Sequence, residues 1–436
     1  MNPPRRGSLS ADLLLPTLYF VALGAMTWAV RGCSGFGAMD GCVFAGVTWG
    51  AGWWYLSRQP AGSPPRPYNS GWVILALTLG IGVSGDRGWM QWPSFFAGHL
   101  QTNSPEGKWV PISREYGFIW MFIAGVPWGG LGACALAWCG THRRLCPRGW
   151  LLRIACGVAG AAVGRVLFDH FPDVFLPLHS SLADRYADAA HNPNLRRLFN
   201  DNQAAMTHLG VYLGCLAFEA GRRNWRGARL ILTVGLVSGA GWAAFQNWTW
   251  AAHFWPDARF NFWRCWESSG GISIGLAYGL AFYIANRPGA ESEPTPAPAP
   301  ACGDFRWEKF GAYAGLIFGL GLSTKNGFKG WANIYLGHEE HWNDVGWAVM
   351  GPLMLIGIAW AALRRPTRGG GSDPFPNAAG LIWLVLIVQN IIAQFITGPL
   401  SSWNEVAFSI YYVLLFCITA VITHHQTEKT RGFAAA

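Results

Sequence analysis

Charge is what this chain has least of. Asp, Glu, Lys and Arg make up 13% of its 436 residues, whereas 51% are hydrophobic and mean hydropathy is +0.21. A soluble protein of that length needs more charge to coat its surface, so lipid is expected to cover much of it. Basic runs are also missing. The net charge of +9 and the pI of about 9.2 arise from single Arg and Lys residues in short loops between apolar stretches. That is a membrane-topology pattern and argues against nucleic acid as a partner. The ten cysteines are scattered. Cys134, Cys156, Cys215 and Cys417 fall inside apolar stretches, and only Cys33, Cys42 and Cys265 are expected to face outward. This is neither a disulfide framework nor a zinc pattern. The N-terminus carries Arg5 and Arg6 but no small-residue cleavage site, so its apolar run reads as a first spanning helix.

What is abundant is apolar stretches of about 20 residues, the length that crosses a bilayer core of about 30 Å. Twelve qualify, pairing as hairpins over roughly 12–57, 70–139, 149–221, 228–286, 307–363 and 377–424. The fold class expected is therefore all-α, a polytopic membrane protein in a single domain, with a Pro/Ala linker over 287–305. Connections after even stretches are short and rich in Arg, for example Arg143, Arg144 and Arg148, or Arg222, Arg223 and Arg226. Counting helix starts, 20 of the 32 Lys and Arg lie on that side, which predicts a plasma-membrane protein with both termini cytoplasmic.

The even stretches share a further feature. Each begins with an acid: Asp40, Glu115, Asp201, Glu267, Asp344 and Glu405, the last pair within nearly identical WND and WNE starts. A carboxylate there caps free amides and complements the helix dipole, so an isolated one needs no other role. Six in register argue for an internal repeat. Odd stretches end in polar groups, among them Arg31, Asp86 with Arg87, Lys325 with Asn326, and Gln389 with Asn390. Glycine-spaced faces such as GIGVSG, GVAGAAVG, GLVSGAG and GLIFGLG suit close helix contact in lipid.

Six like-oriented hairpins can close into a ring. That architecture resembles the (α/α)6 toroid of several soluble glycoside hydrolase families, over the whole chain but without a shared sequence signature. The resemblance implies an (α/α)6-like barrel whose helix starts line one open cup. A twelve-helix major-facilitator transporter is the other familiar arrangement. The loop after the second stretch lacks that family's Gly-Asp-Arg pattern, and GDRGW here lies on the opposite face.

The outer loops gather aromatic, acidic and basic groups. Trp rings stack on sugar C–H faces, and the outer set includes Trp89, Trp250, Trp263, Trp331 and Trp342. An interfacial belt also uses Trp, but on both faces. Glycoside hydrolysis needs two carboxyls, about 5–5.5 Å apart for retention and roughly 6.5–9.5 Å for inversion. The acid of the pair must stay protonated, which an aromatic wall favours. Glu267, beside Trp263 and Trp266, fits that role; Asp344, Glu339 or Glu340 are candidates for the base, then Glu115 and Asp86. Arg31, Arg87, Arg264, Lys325, Asn326, His253 and His341, with Asp40 and Glu405, can hold sugar hydroxyls or an acidic substituent. HEEHWND is not HExxH, so no metal site is expected, and no cofactor is called for. The reading that follows is a membrane-integrated glycoside hydrolase. The alternatives are a transporter or channel for a small polar solute, or a transferase acting on an envelope glycan.

Overall fold

The computed structural model describes residues 9–32, 36–59, 66–85, 92–102, 109–140, 146–245, 248–286, 305–363 and 375–432. Helices occupy every apolar stretch. In the first half these are α1 (Leu15–Arg31, after a π-helical turn at Ser10–Leu14), α2 (Ala38–Ser57), α3 (Trp72–Ser84), the short α4 (Trp92–Phe96) and α5 (Glu115–Ala137). A small antiparallel pair, β1 (His99–Gln101) with β2 (Trp109–Pro111), lies between α4 and α5 with His99 opposite Pro111. Then come α6 (Pro147–His170), the short α7 (Pro172–Phe175) and α8 (His179–Ala187), and α9 (Pro193–Gly221). The second half holds α10 (Trp225–Ala244), the short α11 (Trp248–Phe254), α12 (Phe262–Asn286), α13 (Phe305–Leu336), α14 (Glu339–Leu363), α15 (Ala378–Phe395) and α16 (Trp403–Gly432).

Eight of these helices are long and apolar enough to cross a membrane. Large apolar side chains point outward on α6 (Leu151, Val158, Val163) and on α14 (Leu355, Ile356, Leu363). Exposed in this number they suit hydrocarbon and not water. Two boundaries differ from the expected stretches. Residues 193–200, ahead of the acid Asp201 that begins the apolar stretch, extend α9 at its start, with Pro193 at its first turn. Likewise α13 continues past Lys325 to Leu336.

The neighbours also differ from a sequential six-hairpin ring. Helix α12 packs most extensively on α1, and α10 on α5, so a closed succession runs α1–α2–α3–α5–α10–α12 and back to α1. Hairpins one, two and four thus share the centre, while α6 with α9, α13 with α14, and α15 with α16 lie against its outside. Small residues set this order. A Cβ on Gly24 would lie 2.2 Å from the Gly271 carbonyl, and Gly275 and Gly279 continue the same close line along α1. The α6–α9 contact is similar, with Gly160 against Gly210 and Gly164 against Met206.

Large rings fill the middle of the six-helix succession. Trp28 stacks on Trp49 at 5.3 Å and meets Trp242 from the far side. Trp49 in turn lies 5.4 Å from Tyr278, whose hydroxyl crosses to donate to the Gly129 carbonyl at 2.8 Å. The interior is therefore a packed aromatic core, and the polar groups of interest sit above it.

Candidate functional site

Arg31 is the last residue of α1, and its guanidinium enters the helix cluster one turn above Trp28. It donates from Nη1 to Glu267 of α12, 3.3 Å from Oε2 and 3.5 Å from Oε1. Both side chains are 3% exposed. The cation is also sandwiched by Trp28 and Trp128, at 5.8 and 5.1 Å from their centroids. Its aliphatic stem fits because position 41 is glycine; a Cβ there would stand 2.7 Å from the Arg31 Cγ. Cys42, fully buried, follows Gly41 on α2 and lies beside the same arginine stem.

Asp40, on the first turn of α2, leads into a second ion pair. Lys325 of α13 donates to its Oδ2 at 3.4 Å and to the Asn343 Oδ1 of α14 at 2.9 Å. The ammonium also lies 4.7 Å from the centre of the Trp347 ring. Lys325 is 1% exposed and Asp40 27%. Five helices thus contribute to one cluster of Glu267, Arg31, Cys42, Asp40, Lys325 and Asn343. Buried charges are costly unless paired, and here each carboxylate has its cation.

Of the residues singled out from sequence, Arg31, Asp40, Glu267 and Lys325 come together here. Asn326 is fully buried, and neither its amide N nor its O has a partner among the described residues. Trp263 covers Glu267 from the outside, 4.6 Å from Trp266 and close to Gly32. The other acids are elsewhere. Asp344, Glu340 and Glu115 are exposed, Glu339 pairs with Lys329 at 3.3 Å, and Glu405 accepts from Ser402. Trp250 donates to the Phe96 carbonyl at 3.3 Å, while Trp331 and Trp342 pack on Phe328, with His341 exposed beside Trp342. Asp86, Arg87 and Trp89 lie outside the described residues, as does the side chain of His253.

Three expectations need correction. Cys42 does not face outward; it is fully buried against Arg31, because α2 starts at Ala38 and turns that side chain inward. Exposed Trp is also less one-sided than the aromatic outer loops suggest. Trp150, Trp225, Trp307 and Trp360 are exposed at the ends opposite Trp109, Trp263 and Trp403, which is the distribution of an interfacial belt. In the WND and WNE repeats the Asn, and not the acid, makes the contact. Asn343 receives Lys325, and Asn404 receives the Asn261 amide at 2.8 Å while donating to the Arg259 carbonyl. The duplicated WN dipeptide was the available signal.

Three further polar sites lie apart. A cleft between α5 and α9 is lined by Ser84, Trp92, Pro127, Trp128, Asp201 and His208, and shares Trp128 with Arg31. Near the other end of α9, Glu219 is buried with Arg153 and accepts from Asn224 at 2.6 Å. On the α7–α8 rim, Asp173 is held below the usual carboxylate range by hydrogen bonds from Ser180 and then His179. Compared with protein-family models, curated proteins and solved structures, the chain matches none.

Proposed function

We propose that the chain is a twelve-span plasma-membrane protein with both termini cytoplasmic, and that it hydrolyses a glycosidic bond at the Glu267–Asp40 cluster on its outer face. The arginine asymmetry of the loops supports this orientation. The observation that carries the reading is the cluster itself: two carboxylates from α12 and α2, each held by a buried cation, Arg31 and Lys325, above a packed aromatic core. Glu267 and Asp40 are the paired carboxyls that such a reaction uses. Asp40 replaces Asp344, Glu339 and Glu340 as partner to Glu267, since Asp344 and Glu340 are exposed and Glu339 is paired with Lys329. Arg31 and Lys325 act as positioning residues, and Trp263 and Trp266 supply the wall on which a sugar ring stacks.

A panel of oligosaccharides incubated with purified protein, with product analysis, tests this. Release of reducing sugar that is lost in Glu267→Gln and in Asp40→Asn is the expected result. Intact oligosaccharides across the panel would reject hydrolysis. Translocation of a small polar solute is a second reading, favoured by the cleft between α5 and α9. His208 lies seven residues below Asp201 on α9, about 10 Å along the helix axis. Polar lining therefore continues some way towards the other face.

A further inference from the structure

Arg264 of α12 has no ion-pair partner among the described residues. It is 8% exposed, and its Nε and Nη1 have no hydrogen-bond partner among the described residues. The guanidinium lies over the Phe408 ring of α16, 5.2 Å from the centroid. The nearest acid by sequence on that helix, Glu405, takes the Ser402 hydroxyl instead. Arg264 stands one helical turn before Glu267, on the ridge that continues through Ser268, Gly271 and Gly275 along α1. Glu267 is paired with Arg31 and Asp40 with Lys325, so Arg264, one turn from Glu267, is a further cation with no acid as partner among the described residues.

We propose that this site takes a sugar bearing one negative charge, as a carboxylate or a sulfate ester, with that group bound by Arg264. An uncompensated buried guanidinium is expensive for the empty protein, and an anionic ligand removes the cost. The planar fork of Arg matches two oxygens of a carboxylate or sulfate at once. Asn326 adds an independent pointer. Gly319 meets Val47 of α2, and Lys325 meets Asp40, so α13 and α2 run antiparallel. Seven residues beyond Gly319, Asn326 lies on that same face at the level of Asp40. Its unpartnered amide offers one donor and one acceptor, the complement of a sugar hydroxyl.

This substrate class rests on the hydrolase reading, but it is tested by binding alone. Thermal unfolding of the purified full-length protein is followed with glucuronate, glucose 6-sulfate, glucose and sodium sulfate. Glucuronate or glucose 6-sulfate should shift the midpoint at concentrations at least tenfold below those needed for glucose or sulfate. Arg264→Gln should abolish that preference, and Arg264→Lys should restore part of it. Equal shifts with glucose and glucuronate in the wild-type protein would overturn the proposal whatever the variants do. So would a preference that survives Arg264→Gln. Preferential binding of glucuronate without hydrolysis of a chromogenic glucuronide would leave this inference standing and remove the hydrolase reading.

Discussion

At the scale of single residues, the outer cluster is built from charges that have left water in pairs. Removing one member of such a pair strands the other, whereas removing both does not. Arg31→Ala should therefore lower stability by about 3 kcal/mol or more, because Glu267 is left buried without its cation. The double substitution Arg31→Leu with Glu267→Leu should recover most of that loss, and thermal unfolding of the two proteins compares them directly. The rim offers a pH-dependent counterpart. Asp173 titrates below the usual carboxylate range in the folded protein, so its bonds to Ser180 and His179 add stability at neutral pH. That contribution is full above the unfolded carboxylate value and disappears as pH falls through the lower folded one. Hydrogen exchange across 173–188 should accelerate, relative to the helix cores, between about pH 5 and pH 2. Both Arg31 and Glu267 stood out in the sequence as polar residues at the edges of apolar runs. Cys42 and Asn343 did not, because a thiol next to an acid, or an Asn beside a Trp, has no spacing that announces a partner from another hairpin.

Helices are placed by glycine more than by large side chains. The backbones of α1 and α12 touch at Gly24 and Gly271, so Gly271→Val must push them apart. A loss of several degrees in the unfolding midpoint is expected. Gly380→Ala on α15 is the control, since nothing lies within 4 Å of the added methyl, and the better helix propensity of Ala should leave stability equal or up to about 1 kcal/mol higher. The glycine-spaced faces were legible in advance: GVAGAAVG meets α9, GLVSGAG meets α12 through Gly241 and Ser273, and GLIFGLG meets α3 through Gly315. Which helix each face would find was not. Periodicity reports that a face is small, but the partner is chosen by the shape of both surfaces. That is why the sequence order suggested neighbouring hairpins, whereas α12 returned to α1 and α10 to α5.

At the scale of the molecule, an aromatic core closes the centre and the charged cluster lies above it, with the cleft along α9 beside it. Orientation in the bilayer is open to a direct check. Single cysteines introduced at Asp257 and at Arg223, in an otherwise cysteine-free protein, should react with an impermeant maleimide from opposite sides of intact cells, Asp257 from outside. Labelling of Arg223→Cys from outside would invert the topology and move the cluster to the cytoplasm. The measurement that bears most directly on function is made with protein reconstituted into sealed liposomes, assayed at once for hydrolysis and for uptake. Chromogenic glycosides, a glucuronide among them, should be cleaved in the external medium with no solute gained inside, and cleavage should vanish in Glu267→Gln. Accumulation of intact substrate inside the vesicles, without hydrolysis, would contradict the account and assign the protein to transport.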